Sequence, residues 1–146
     1  TFFRYFETKA DVLWAEFDHE VTSLHALLAA APPEQSVGAA IRSAILAANH
    51  YGVEDVAELR TRMRVIGSVP ALAGGANVHY DAWVEALAEF AAARLGQSSE
   101  DLLPRAIGFS ALGACRAAFD YWVTRHDADL IAYLDQALTA WMTGIA

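Results

Sequence analysis

The chain has little of several residue types that mark particular classes of protein. One cysteine, Cys115, in 146 residues excludes an internal disulfide and fits a reducing cytoplasm. No apolar run reaches the roughly 18 residues of a membrane span, and the sequence shows neither a secretory signal nor a lipidation motif. These absences predict a soluble, cytoplasmic protein with no membrane partner, in which Cys115 packs as a small apolar residue.

The composition otherwise favours one folded domain. Hydrophobic residues make up 55% of the chain and charged residues 19%, which argues against disorder. The net charge is −8, and such an acidic balance normally argues against nucleic-acid binding, because phosphate contacts need clustered basic residues. The acidic excess, however, lies after residue 13, so it does not exclude a DNA contact made by the first residues.

Helical periodicity runs through every long segment, and no segment shows the alternation of a half-buried strand. The fold class is therefore predicted as all-α. After a short helical remnant at residues 1–6, we expect helices over about residues 8–30, 36–52, 53–68, 77–95, 101–126 and 128–144.

The predicted helix boundaries depend on capping and breaking residues. Thr8, Ser36 and Asp101 are the expected N-caps, and Gly96 is placed to end a helix in the left-handed conformation. Pro70 and the Gly74-Gly75 pair predict a turn and a bend between residues 69 and 76.

The opening residues carry the most specific signal: Thr1-Phe2-Phe3-Arg4-Tyr5-Phe6-Glu7-Thr8-Lys9. They resemble the end of the recognition helix and the start of the next helix in the TetR family of bacterial repressors. The resemblance implies phosphate contacts for Thr1, Tyr5 and Lys9 and a position in or beside the major groove for Phe2 and Arg4. Such a division of roles is physically reasonable, since hydroxyl and cationic groups fix a helix on the backbone while its neighbours read bases.

The TetR resemblance also implies a domain division. Residues 1–8 would end a helix-turn-helix domain whose earlier helices are expected upstream, and residues 9–146 would form an effector-binding and dimerisation domain. An effector held behind the helix that starts at Thr8 would favour a conformation in which two reading heads no longer match successive major grooves.

Apolar residues on the predicted inner faces suggest an effector site with few fixed polar groups. Arg60 and Arg64 flank one apolar stripe and are candidates for holding an anionic group, although arginines in such positions are more often solvated or paired with neighbours such as Glu58. Arg116 and Asp120 lie four apart on an apolar face, either as a structural ion pair or as a polar anchor. The full candidate set is Phe17, Arg60, Met63, Arg64, Trp83, Leu87, Phe90, Phe109, Arg116, Phe119 and Asp120.

Residues 62–72, Arg-Met-Arg-Val-Ile-Gly-Ser-Val-Pro-Ala-Leu, are similar to an actinobacterial TetR subgroup that includes mycofactocin-associated regulators. That resemblance implies an acyl-coenzyme A effector.

The last two helices are apolar over too much of their surface for a monomer. Small residues on the penultimate helix would let a partner helix approach closely, although they could also pack within one subunit. In the TetR family the last two helices form a four-helix dimer interface. The predicted interface residues are Ser110, Gly113, Ala114, Ala117, Leu134, Leu138 and Trp141.

No motif supports enzyme chemistry. The five histidines have no metal-ligand spacing, and the chain has no Gly-rich phosphate loop, nucleophile elbow or Cys/His dyad. We therefore expect no metal, no cofactor and no catalytic residue. The sequence predicts a TetR-type repressor that binds operator DNA as a homodimer and responds to a small apolar or amphipathic effector. The alternatives are a helical-bundle enzyme or ligand carrier that uses the aromatic-lined core, and a dimerisation module without a ligand.

Overall fold

The computed structural model describes the backbone of residues 2–49, 53–68, 70–125 and 129–144, and within it the side chains of residues 14–15, 17–49, 56–65, 78–125 and 129–144. In these ranges the regular secondary structure is entirely α-helical, which confirms the all-α prediction. The helices are α1 (Phe2–Ala29), α2 (Val37–Ala48), α3 (Val53–Ser68), α4 (Pro70–Leu95), α5 (Leu102–Val123) and α6 (Leu130–Thr143).

Helix α1 continues without a break through the predicted helix start at Thr8. The prediction that Thr8 caps a separate helix is therefore wrong. Residues 7–10 contain neither glycine nor proline, so no residue in this stretch disfavours the helical conformation or removes a backbone donor. Residues 2–7 thus belong to the same helix as the residues up to Ala29.

Helix α4 likewise crosses the segment where a turn and a bend were predicted, and that prediction is also wrong. Pro70 is the first residue of the helix, where its missing N–H removes no intrahelical hydrogen bond. Gly74 and Gly75 lie in the interior at a cost of about 1 kcal/mol each relative to alanine. The alanine-rich remainder of α4 offsets that cost.

The predicted capping residues other than Thr8 lie at helix ends. Ser36 accepts a hydrogen bond from the backbone N–H of Ala39 at 3.2 Å, as expected for an N-cap. Asp101 is the N-cap of α5, but its carboxylate accepts from the backbone N–H of Ser98 at 2.9 Å instead of capping the helix. Gly96 follows α4 with a φ of +67°, the left-handed conformation that glycine adopts without strain.

Helices α4 and α5 pack against each other at the centre of the bundle, and α1, α3 and α6 pack around them. The contact between α4 and α5 is close at Gly108, where an added Cβ would lie 2.9 Å from the backbone oxygen and a methyl group of Val84. Helix α6 packs between α5 and α2. The fully buried core side chains include Leu24, Ile41, Ile45, Val84, Leu87, Trp122, Leu134 and Leu138.

Candidate effector site, dimer surface and family

An aromatic cluster forms where α1 crosses α4. The buried indole of Trp14 stacks on the imidazole of His79, with ring centroids 4.3 Å apart and planes 6° from parallel. Phe17 meets the rings of Trp14 and Tyr80 edge-on at 5.8 and 5.7 Å. The cluster therefore offers apolar ring surface contributed by two helices.

Charged groups from three helices surround this cluster. The Nδ1 atom of His79 lies 2.9 Å from a carboxylate oxygen of Asp18 on α1. From α5, the guanidinium carbon of Arg116 lies 5.2 Å from the centroid of the Tyr80 ring. Burial raises the pKa of the Tyr80 hydroxyl, the positive charge of Arg116 acts in the opposite direction, and the negative charge of Asp120 adds to the rise. We call these seven residues the three-helix cluster: Trp14, Phe17, Asp18, His79, Tyr80, Arg116 and Asp120.

The structure corrects the expected surroundings of Arg116 and Asp120. Both residues are exposed, so the prediction that they lie on a buried apolar face of α5 is wrong. The buried face of α5 passes through Ala111, Cys115 and Ala118, and at about 100° per residue the two charged residues fall outside it. Arg116 extends over the Tyr80 ring, where a cation is attracted by the aromatic face.

Phe109 was also predicted to face inward and instead lies on the surface, 49% exposed, with the Arg105 guanidinium carbon 5.2 Å from its ring centroid. Trp83 and Leu87 are buried in the core of the bundle. Met63, Phe90 and Phe119 are half-buried. Of the predicted effector residues, the structure thus brings Phe17, Arg116 and Asp120 together.

Arg60 and Arg64 contact the C-terminal end of α5. Their guanidinium groups donate hydrogen bonds to the backbone carbonyls of Arg125 at 3.0 Å and Val123 at 3.2 Å. Arg60 also lies over the ring of Trp122 at 4.5 Å. These carbonyls are at the negative end of the helix dipole, where a cation is stabilising. Both arginines therefore help to hold α3 against α5.

Uncharged side chains of α5 and α6 lie together along one edge of the packing between these two helices. Ser110 accepts a hydrogen bond from the Trp141 indole at 2.8 Å, and Tyr121 meets Tyr133 edge-on at 5.0 Å. An added Cβ at Gly113 would find no atom within 4 Å. We call this surface the α5–α6 face: Ser110, Gly113, Ala117 and Tyr121 of α5, with Tyr133, Ala137 and Trp141 of α6.

Three predicted interface residues, Ala114, Leu134 and Leu138, are not on this face. Ala114 is half-buried and packs against the core. Both leucine side chains are fully buried in the chain's own core, so they are not available to a partner. Their spacing of four residues, shared with Leu130, makes one buried stripe on α6. The prediction assigned the inner apolar stripe to the dimer because the sequence does not show which side of α6 meets α5.

Among the polar contacts that sequence analysis missed, two hold α1 and the turn that follows it. The Asp18 to His79 contact joins residues 61 positions apart, and the only local signal was that Trp14 and Asp18 lie one turn apart on α1. Arg94 donates hydrogen bonds to the carbonyls of Pro32 at 2.9 Å and Gln35 at 2.7 Å, which fixes the turn between α1 and α2. Both are long-range contacts, which periodicity does not reveal.

The expectation for Cys115 is confirmed: the thiol is buried, and burial raises its pKa to about 12. Within the described residues, histidine, cysteine and acidic side chains nowhere gather in a group of three that could hold a metal ion. None of the helices in the same part of the chain has the length and apolar character needed to cross a membrane.

Comparison with known proteins agrees with this all-helical architecture. Residues 35–146 match a TetR-type family model described as the MftR C-terminal domain. The chain is also 30% identical, over 137 residues, to a Mycobacterium tuberculosis H37Rv protein named as a mycofactocin biosynthesis transcriptional regulator, MftR. That alignment covers 94% of this chain and 69% of the relative.

The family match covers more than half of the chain, and the relative is aligned over nearly all of it. Proteins of this family regulate transcription and are not enzymes, so the enzyme alternative is excluded. The chain belongs to the TetR family of transcriptional regulators and is of the MftR-like kind.

Proposed function

We propose that this regulator is a repressor that binds operator DNA as a homodimer and is released by a small apolar or amphipathic effector. The proposal of a homodimer is supported by the α5–α6 face. Helix α6 contains a single charged residue, Asp135, and that carboxylate accepts a hydrogen bond from Arg42 at 2.8 Å. The outward side of α6 is thus free of unpaired charge.

Small residues on α5 support a helix-to-helix dimer contact. Ser110, Gly113 and Ala117 are exposed and would let the backbone of a second α5 approach closely. A two-fold axis through this face would pair it with itself, which is the commonest arrangement of a homodimer. Such interfaces commonly bury more than about 2,000 Å² in total.

DNA contact is proposed for the start of α1. Thr1 lies outside the described residues, as do the side chains of Phe2, Arg4, Tyr5 and Lys9, so their roles rest on the resemblance of the opening residues to TetR recognition helices. Because α1 is continuous, a displacement of its middle would be transmitted to these residues as a rigid-body movement. This is the simplest physical connection between a sensor domain and a DNA reader.

The three-helix cluster is our proposed effector site. Phe17 and Tyr80 supply ring surface, and Arg116 supplies an exposed cation beside it. An amphipathic anion, such as an acyl-coenzyme A, would place an apolar part against the rings and an anionic part near the guanidinium. If such a ligand binds more tightly when α1 is in one of two positions, it shifts the regulator toward the state with that position of α1.

The name of the M. tuberculosis relative suggests genes of mycofactocin biosynthesis as the first to test for regulation. A cytoplasmic location follows if the protein acts on chromosomal DNA.

DNA binding is tested by the Lys9→Ala variant of the full-length protein on a duplex selected from a random pool with the wild type. If Lys9 contacts a phosphate, the variant should bind selected and scrambled duplexes more weakly by similar factors. The slope of log affinity against log salt should fall by about one. An unchanged slope would show that Lys9 does not contact the DNA backbone. If the wild type selected no duplex from the random pool, DNA binding itself would be contradicted.

A further inference from the structure

Three contacts of His79 join α1 to α4, one of them an edge-on approach to the Phe17 ring with centroids 6.3 Å apart. Its Nδ1 atom lies 2.9 Å from the Asp18 carboxylate, and its ring is stacked on Trp14 of the same helix. Trp14 and Asp18 are one turn apart on α1, so a single imidazole contacts two successive turns of that helix. The His79 side chain is 21% exposed, so water and protons reach it without unfolding.

We propose that the Asp18–His79 contact is a proton-sensitive positioning device that sets where α1 lies against α4. The effect of this contact on DNA binding rests on the proposed function, in which α1 carries the DNA-reading residues. Protonation of the imidazole strengthens the hold of α4 on α1, and its loss weakens that hold. Operator affinity therefore responds to pH through His79.

The imidazole can be a neutral or a charged partner of the carboxylate. Histidine is the side chain whose charge ordinarily changes between about pH 5 and pH 8. A neutral imidazole with its proton on Nδ1 donates one ordinary hydrogen bond to Asp18, whereas the protonated ring makes a charge-assisted one. A positive ring stacked on the Trp14 indole also gains a cation–π attraction.

Other charged groups lie on the helices that pack against α4, among them α1, α3 and α5. On α4, Tyr80 is the neighbouring titratable residue, and its hydroxyl senses the charges of Arg116 and Asp120 from α5. On α3, Arg60 and Arg64 donate to carbonyls at the end of α5, and Arg62 pairs with Glu58 at 2.6 Å. On α1, Asp18 is the carboxylate that contacts the imidazole.

The chain offers variants that separate charge from stacking. His79→Gln keeps an amide donor for Asp18 but cannot be protonated. His79→Phe keeps a ring on Trp14 and removes the hydrogen bond. His19→Gln is the matched control, because His19 is an exposed histidine on α1. Asp18→Asn completes a double-mutant cycle with His79→Gln.

The first test does not involve DNA. Unfolding equilibrium constants of the full-length wild type, both single variants and the double variant are measured in urea at about pH 5.5 and about pH 8. We expect a coupling between Asp18 and His79 of about threefold at the lower pH, within the range of a partly exposed ion pair, and a smaller coupling at the higher pH. Equal coupling at both pH values would overturn the proton sensitivity of the contact.

The second test measures affinity for the selected operator duplex at the same two pH values. The ratio of the two dissociation constants should change by about threefold between wild type and His79→Gln or His79→Phe, and His19→Gln should keep the wild-type ratio. The same ratio in wild type and His79→Gln would overturn the link to the DNA reader. Absence of operator binding at both pH values would instead overturn the proposed function, and the unfolding cycle would still decide whether the contact is proton-sensitive.

Discussion

Helix α5 has neighbours of opposite character on its two sides. Toward α6 it meets the leucine stripe of Leu134 and Leu138, which is completely buried. Toward α4 and α1 it contributes Arg116 and Asp120 to a cluster of rings and partly exposed charges. The first side has apolar contacts whose strength hardly depends on pH, and the second has contacts that protons, salt and ligands can alter.

The difference indicates a division of labour within one small bundle. Close-packed apolar contacts resist rearrangement, because a shift of even a methylene group creates a void or a clash. Polar and aromatic contacts at a partly exposed boundary can exchange partners with water or ligand at little cost. We therefore expect α5 and α6 to remain fixed to each other while α1 changes position relative to α4.

The strongest test of the fixed side is Leu134→Ala. Truncation of this fully buried side chain should reduce the free energy of unfolding by about 3 kcal/mol, because it leaves a cavity beside α5. The matched control is Leu102→Ala, since Leu102 is 86% exposed, and its effect should stay within about 0.5 kcal/mol. Urea denaturation at one protein concentration measures both, and similar losses for the two variants would contradict the buried stripe.

The α5–α6 face is tested by Gly113→Arg. No neighbouring atom lies within 4 Å of the new Cβ, so the monomer should fold, but a charge buried in a dimer interface should weaken association roughly a hundredfold or more. Sedimentation equilibrium on the full-length protein gives the dissociation constant. Ala93→Arg, on the exposed side of α4, is the control. A dimer as tight as the wild type in Gly113→Arg would exclude this face as the interface.

On the changeable side, Arg116→Met combined with Asp120→Asn keeps much of the side-chain volume and leaves no stranded carboxylate. A long-chain acyl-coenzyme A should bind about tenfold more weakly if Arg116 holds its anionic part, in line with the strength of charge-assisted hydrogen bonds. Isothermal titration calorimetry measures this, with Arg105→Met as the control. Arg105 pairs with Glu85 at 2.7 Å, away from the three-helix cluster. Unchanged binding by the double variant would remove Arg116 from the effector site.

The smallest effect is expected at the surface link between α2 and α6. Hydrogen bonds from Arg42 and Thr139 hold the pKa of the Asp135 carboxyl below its ordinary value. A lowered pKa in the folded state contributes stability above the ordinary carboxyl pKa, and that contribution is lost as the pH falls through the folded-state value. The melting temperatures of wild type and Asp135→Asn should therefore converge toward acid pH, and a constant difference would contradict the link.

Helix existence and most capping residues were predictable, because they depend on neighbours within a few positions. Ser36 and Gly96 act where short-range rules placed them. The same rules failed at Thr8 and at the Gly74-Gly75 pair, where a local preference for a cap or a bend was outweighed by continuation of the helix. Local propensities amount to about 1 kcal/mol per residue, which the rest of a long helix can exceed.

The residues of the candidate sites also divide into those whose positions could be predicted from the sequence and those whose positions could not. Gly113 and Ala117, predicted to contact a partner helix, are exposed, and the contact itself stays a prediction. The burial of Cys115 was expected because a free cysteine packs as a small apolar residue. The positions of Phe109 and Arg116 were predicted wrongly, because a residue near the edge of an apolar helix stripe can lie on either side of that edge. Which edge is covered depends on the crossing of neighbouring helices.

The sequence by itself determined the all-α class and most of the helical segments, since both follow from residue type and short-range spacing, and its opening residues carried the TetR resemblance. Only the tertiary structure decided that Leu134 and Leu138 face inward and that Asp18 meets His79. These results depend on the rotation and crossing of helices far apart in the chain. The free energy that sets them is distributed over many core contacts, so no local pattern records it.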